Sequence, residues 1–139
     1  MTPRQIALVR ETFAAVRPIA DTAAALFYDR LFALDPALRA LFKSDMREQG
    51  AKLMQTIGVA VAALHAPESL APALQALGRR HHGYGVEDRH YATVAEALLW
   101  TLGQGLGPAF TDESRDAWRD AYTLLAGVMQ SGAAQARAA

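Results

Sequence analysis

The chain has 139 residues, 52% of them hydrophobic and 20% charged, and its 14 basic and 14 acidic side chains give a net charge of zero. That length suits one domain with a full core, and the balanced charge removes any broad electrostatic reason to expect nucleic acid or an anionic membrane as partner. Cysteine is absent, which excludes disulfides, thiolate nucleophiles and cysteine metal sites.

Ala and Leu are abundant and β-branched residues sparse, which favours helix. Thr2 and Pro3 start a first helix, Thr as cap and Pro in the first turn. It runs to about residue 17, where Pro18 interrupts, and a second helix covers about 19–33. Asp35 and Pro36 restart a short helix through about residue 42. Ser44 or Asp45 caps a long helix to about residue 66, with Leu53, Ile57, Ala60, Val61 and Leu64 as its apolar stripe. Pro67 breaks it, and the next helix carries Leu70, Leu74, Leu77 and His81 on one face before Gly83 and Gly85 end it. Glu87 and Asp88 open a helix over about 87–106, and Gly103, Gly105, Gly107 and Pro108 mark the turn after it. Thr111 starts a last helix whose inner face reads Trp118, Tyr122, Leu125 and Met129, and the Ala-rich tail after Gly132 is expected to fray near its end. No strand alternation, repeat or linker interrupts this pattern. The fold class is all-α, a single domain over 1–139 of about seven helices.

Several polar side chains fall in line with these stripes. His81 continues three leucines and so points inward; it is either a core histidine bonded internally or a ligand, and the stripe alone does not name one. His82, turned by about 100° from that face, is the lesser candidate. Gln49 sits on the inward face of the long helix, four residues before Leu53. Tyr28 falls between Phe27 and the Leu31–Phe32 pair, and Tyr91 opens a stripe of Val94, Leu98 and Leu102. A buried phenol or amide needs a partner, because an unpaired one costs about 1–3 kcal/mol. Gly50 and Gly58 either admit something close to the long helix or serve helix packing. His65 is expected to cap carbonyls at a helix end and His90 to be a solvated first-turn residue. No histidine pair has the spacing of a helical zinc site.

In register, the motifs resemble the globins, specifically bacterial single-domain haemoglobins and the globin part of flavohaemoglobins. Leu26-Phe27-Tyr28-Asp29-Arg30-Leu31-Phe32 resembles their second-helix motif with its distal Tyr, and 35–42 the corner that follows. Leu77-Gly78-Arg79-Arg80-His81 is similar to the end of the proximal helix; Tyr91, Val94, Ala97, Leu98 and Leu99 match the helix after the next corner, and Trp118, Ala121 and Tyr122 the last one. The resemblance covers nearly the whole chain. It implies a globin fold around haem b (iron protoporphyrin IX), with His81 as iron ligand. Phe42 would stack on the haem, and Tyr28 and Gln49 would donate hydrogen bonds to the gas ligand. Leu53 would limit the space above the iron, and Tyr91, Val94 and Leu98 would line the pocket. Lys52 or Arg80 would pair with a haem propionate.

The implied function is reversible O₂ binding, for transport or buffering, with reactivity toward NO and CO. Nitric oxide dioxygenase activity served by a separate reductase and a gas-sensor role are the alternatives. No flavin or nicotinamide module is present in the sequence, so the expected reductant is another protein or a small molecule. No signal-peptide pattern opens the chain and no apolar run approaches the roughly 20 residues of a membrane span, so a cytoplasmic monomer or homodimer is expected. One position departs from the family pattern. Where its relatives place a Glu in a network with the proximal His and Tyr, counting from Trp118 leads to Gln135. A neutral amide could hydrogen-bond Tyr91 but would add no negative charge, which implies a weaker electron push onto iron.

Overall fold

A computed structural model describes residues 1–138. Six α-helices occur among them: α1 Pro3–Val16, α2 Ala20–Leu34, α3 Met46–Ala62, α4 Ala71–Gly83, α5 Asp88–Leu106 and α6 Asp112–Ala138. Four short 3₁₀ segments join them, and each has a proline in its first two positions: Pro18, Pro36, Pro67 and Pro108. Proline has no N–H to give to a preceding turn, so each one ends a ladder and restarts another at a new angle. The expected short helix after Asp35 is therefore the 3₁₀ segment Pro36–Leu41. The starts follow capping chemistry. Thr2 accepts from the Gln5 amide at 3.1 Å while the Gln5 side chain accepts from the Thr2 amide at 2.9 Å, and Asp45 accepts from the Arg47 amide at 2.7 Å.

Four local expectations are corrected. α3 ends at Ala62, four residues early, because Arg10 reaches across from α1 and donates to the carbonyls of Val61 at 3.4 Å and Ala62 at 3.0 Å. His65 does not cap those carbonyls; its Nδ1 accepts from Arg10 at 3.0 Å. His90 is not solvated but only 6% exposed, because its Nδ1 folds back to accept the Glu87 amide at 2.9 Å and completes a capping box. Gly103 and Gly105 lie inside α5, and the turn falls on Gly107, at φ +56°, and Pro108.

The core has two parts. One joins α1, α3, α5 and α6 around Val9, Phe13, Val61, Leu102 and Trp118, with the indole donating to Thr12 Oγ1 at 2.7 Å. The other gathers Phe27, Tyr28, Leu31, Leu38 and Ala97, and Phe42, Leu53, Val94 and Leu98 pack against it only half-buried. α2 packs on α3 and α5, α1 on α6, and α4 on α6. α3 and α4 are not among the helix pairs that pack closely on one another. No described helix is long and apolar enough to cross a membrane.

α4 and α6 meet backbone to backbone. A Cβ added at Gly78 would sit 1.8 Å from the Met129 carbonyl oxygen, and one at Gly132 would sit 2.1 Å from that of Gln75. Each helix offers a glycine where the other presents a carbonyl. α6 continues past Gly132 to Ala138, with Gly132 buried against α4, and the very end of the tail, Ala139, lies outside the described residues. Gly50 is also a packing residue, since a Cβ there would meet that of Ala24 at 2.9 Å. Gly78→Ala should destabilise the fold by about 3 kcal/mol, because no side-chain movement relieves a clash with backbone. Gly127→Ala, where a Cβ meets nothing within 4 Å, should stabilise it by about 0.5–1 kcal/mol. Urea denaturation of the two variants checks both signs.

Candidate functional site

The residues singled out in the sequence fall in two groups, one at the end of α4 and one where α2 packs on α3. On α4, His81 stands one turn beyond Gly78 and is half-buried. Its Nδ1 lies 2.8 Å from the Leu77 carbonyl oxygen. A carbonyl only accepts, so Nδ1 carries the proton and Nε2 keeps its lone pair. Nε2 makes no hydrogen bond among the described residues. Burial pushes the His81 pKa below its ordinary value, Arg80 adds to that, and the Leu77 contact works against both. The result at neutral pH is a neutral imidazole with one free donor nitrogen. The helix closes just beyond it. The Val86 amide donates to the His81 carbonyl at 3.0 Å, and Gly85 at φ +98° turns the chain under Leu41. His82, on the neighbouring face, is also half-buried, and its ring makes no hydrogen bond among the described residues.

In the other group, Tyr28 projects from α2 and is 8% exposed. Its ring is boxed by Phe27 and Phe42 edge-on at 5.1 and 5.3 Å and by Phe32 stacked at 6.0 Å. Its hydroxyl donates to the backbone carbonyl of Gln49 at 3.3 Å, the long end of the hydrogen-bond range. Burial raises its pKa to about 12, so it stays a donor across the physiological range. The half-buried Gln49 side chain donates its amide to the Ser44 hydroxyl. Both polar groups are thus engaged within the protein. Ser44 was legible only as an alternative helix cap, a place that Asp45 takes; its contact with Gln49 has no sequence pattern, since it depends on the turn that brings it beside Gln49. Phe42, Leu53, Val94 and Leu98 supply half-buried apolar surface packed against the Tyr28 cluster, and Lys52 and Arg80 are exposed.

Tyr91 is buried on α5, and its hydroxyl has no hydrogen-bond partner. Burial, with Asp88 nearby, raises its pKa. Its backbone carbonyl accepts from the Tyr122 hydroxyl at 2.7 Å. The amide expected to serve Tyr91 does not. Gln135 lies exposed on α6, and its Oε1 accepts from Arg79 at 3.2 Å. The inward residue at that level is Ala133, 3% exposed, which has no polar group to offer.

No cluster of three or more His, Cys, Asp or Glu among the described residues could hold a bare metal ion. A half-buried imidazole with one free nitrogen instead suits a metal group that would bring its other donors with it. Two outcomes follow from this geometry. Tyr91→Phe removes an orphaned hydroxyl and should stabilise the ligand-free protein by about 1 kcal/mol in chemical denaturation. His81 has its folded pKa depressed below 6.5, so its contribution to stability is present above pH 6.5 and is lost as pH falls toward the folded value. His81→Ala should therefore flatten the stability–pH curve of the ligand-free protein on the acid side of that point.

The globin family profile matches residues 25–129. The chain is 33% identical over 133 residues to a flavohemoprotein of Bordetella parapertussis, a stretch covering 93% of this chain and 33% of that protein. It is 35% identical over 121 residues to neuroglobin of Danio rerio, covering 77% of this chain and 76% of the other. Among solved structures it is similar to an engineered carbene transferase built on a Rhodothermus marinus protein described as a nitric oxide dioxygenase. The TM-score there is 0.89, at 28% identity, over 99% of this chain and 96% of that one. The chain spans about a third of the length of the curated flavohemoproteins it matches. With the family profile covering most of its length, and six α-helices among its described residues, the chain belongs to the globins.

Proposed function

We propose that this globin holds haem b between α3 and α4 and binds O₂ reversibly, with NO as a second reactive ligand. The observation that carries the reading is the half-buried His81 imidazole, fixed by the Leu77 carbonyl with Nε2 free. Haem, when bound, supplies an iron centre for a diatomic gas and for its reaction with NO.

The remaining tasks fall to the chain. His81 offers the Nε2 lone pair as the iron ligand. The Leu77 carbonyl fixes the tautomer and ring plane and lends the imidazole modest basicity, with no carboxylate in the contact. Phe42, Leu53, Val94 and Leu98 exclude water and hold the flat ring. The exposed Lys52 and Arg80 are the cations proposed for the haem carboxylates. The orphaned Tyr91 hydroxyl would find its acceptor on the bound group's side of the pocket. Tyr28 gives up a weak bond to a carbonyl in order to donate to the gas ligand, and Gln49 does the same after leaving Ser44. A hydrogen bond to a charged acceptor is worth about 1.5–3 kcal/mol, so the exchange favours the ligand.

A second reading, nitric oxide dioxygenase with a separate reductase, is supported by the likeness to flavohemoproteins and to the Rhodothermus protein. Nitrate formation from NO and O₂ consumes an electron, which an outside reductant would supply.

Absorption spectra of the purified protein, oxidised, reduced and then under O₂, test the reading. A haem spectrum that His81→Ala abolishes and His82→Ala retains is the expected result; the reverse pattern moves the ligand to His82. Tyr28→Phe should speed O₂ dissociation by about tenfold, as expected for the loss of roughly 1.4 kcal/mol. An unchanged rate would remove Tyr28 from the ligand side. Oxygenated protein mixed with NO should yield nitrate, and its absence would eliminate the dioxygenase reading.

A further inference from the structure

An open cleft of about 470 Å³ lies between α1 and α3 and reaches Ala20, the first residue of α2. None of the residues proposed for haem lines it. Its apolar wall comes from Ala20, Met54, Val59 and Ala62, and its polar side chains are Arg17 and Gln55; no acidic side chain lines it. Gly58 keeps it open, since a Cβ there would lie 3.3 Å from Arg17 and 3.5 Å from Phe13. The Arg17 guanidinium lies over the Phe13 ring, 5.3 Å from its centre, and makes no hydrogen bond or ion pair among the described residues. Stacking thus orients the guanidinium plane while its fork of N–H donors stays unused.

The lining chemistry selects the ligand. One cation with no acid beside it in the wall calls for a single negative charge, and a guanidinium fork matches a carboxylate through two parallel hydrogen bonds. A phosphate monoester carries close to two charges and would find no second cation in the wall. The tail follows from the remaining side chains. Phe13 is only 5% exposed and Arg17 covers its face, so no aromatic surface is left on which a planar ring could stack. The accessible wall is aliphatic, with Met54 as its adaptable part. From Gln55 to Ala62 the axis of α3 rises about 10 Å, the length of an extended chain of about eight carbons. A mostly apolar wall with a few fixed polar groups is the usual make-up of a small-molecule site, and the cleft has the volume of one.

We propose that the α1–α3 cleft binds a single-chain aliphatic carboxylate, its head paired with the Arg17 guanidinium and its chain lying along α3 past Val59 and Ala62. This does not rest on the haem reading above.

Octanoate titrated into the purified protein, with or without haem, is followed through the methyl resonances of the side chains. Those of Met54 and Val59 should shift and saturate. Hexanoate should bind more weakly, by up to about fourfold for each methylene removed. Octanol, with the same chain and no charge, should bind about tenfold more weakly than octanoate. Arg17 and Val59 are exposed, so their substitution leaves the core intact. Arg17→Gln should weaken octanoate binding about tenfold, and Val59→Asp, which sets a carboxylate in the wall, by at least as much. Arg115→Gln removes another arginine stacked on a ring, 5.2 Å from the centre of Phe110 and outside the cleft, and should leave the affinity unchanged. Octanol binding as tightly as octanoate, or an Arg17→Gln variant of full affinity, overturns the pairing with Arg17. Shifts confined to Val94 and Leu98 place the ligand at the other site and overturn the cleft, as does the lack of a saturable response at Met54 and Val59. Shifts caused by phosphatidylglycerol vesicles but not by octanoate assign the cleft to a membrane surface and overturn the proposal.

Discussion

The backbone contact between α4 and α6 is the constraint on which the rest of the molecule depends. Gly78 lies under the Met129 carbonyl and Gly132 under the Gln75 carbonyl, so the two helices approach more closely than any side chain would permit. This fixes α4 by its outer face to α6, and α4 needs no purchase on α3. His81, one turn past Gly78 on the same helix, is held in place by that contact.

Where α2 packs on α3 the protein holds its polar groups in reserve. The Gln49 carbonyl that receives the Tyr28 hydroxyl also belongs to the α3 ladder, so it keeps an acceptor role when Tyr28 turns away. Ser44 is exposed, so water replaces Gln49 when the amide leaves. Neither release strands a buried polar atom, and both donors can be exchanged at low cost for a better acceptor. Burial keeps Tyr28 protonated and His81 neutral by the same mechanism acting on opposite charge types: each group is held in its uncharged form.

Much of this was legible in the sequence. The leucine stripe ending in His81, the prolines that cut the helices and the inward set of Tyr28, Gln49 and Leu53 all follow from periodicity and local chemistry. Gln135 shows where counting fails. It lies exposed while Ala133, two residues before it, is buried, and two residues of offset turn a helix by about 200°. His90 was misread because capping boxes are recognised by Glu or Gln at the third helical position, and here an imidazole nitrogen performs the task. Arg10 capping α3 from another helix has no local signal at all. The role of Gly132 was hidden because a glycine read alone is a helix stop, whereas opposite a facing carbonyl it is a fitting.

A joint made of α-carbons and carbonyls has no rotamers. Packed side chains yield to a load by changing χ angles, but the Gly78–Met129 and Gly132–Gln75 contacts offer none to change. Anything that pulls on His81 therefore pulls on α4 and α6 as a single rigid lever. The give must come from the α3 side of the proposed haem site, where Gln49, Ser44 and Met54 have torsions to spend. The molecule is stiff behind the histidine and compliant in front of it, an anvil facing a spring.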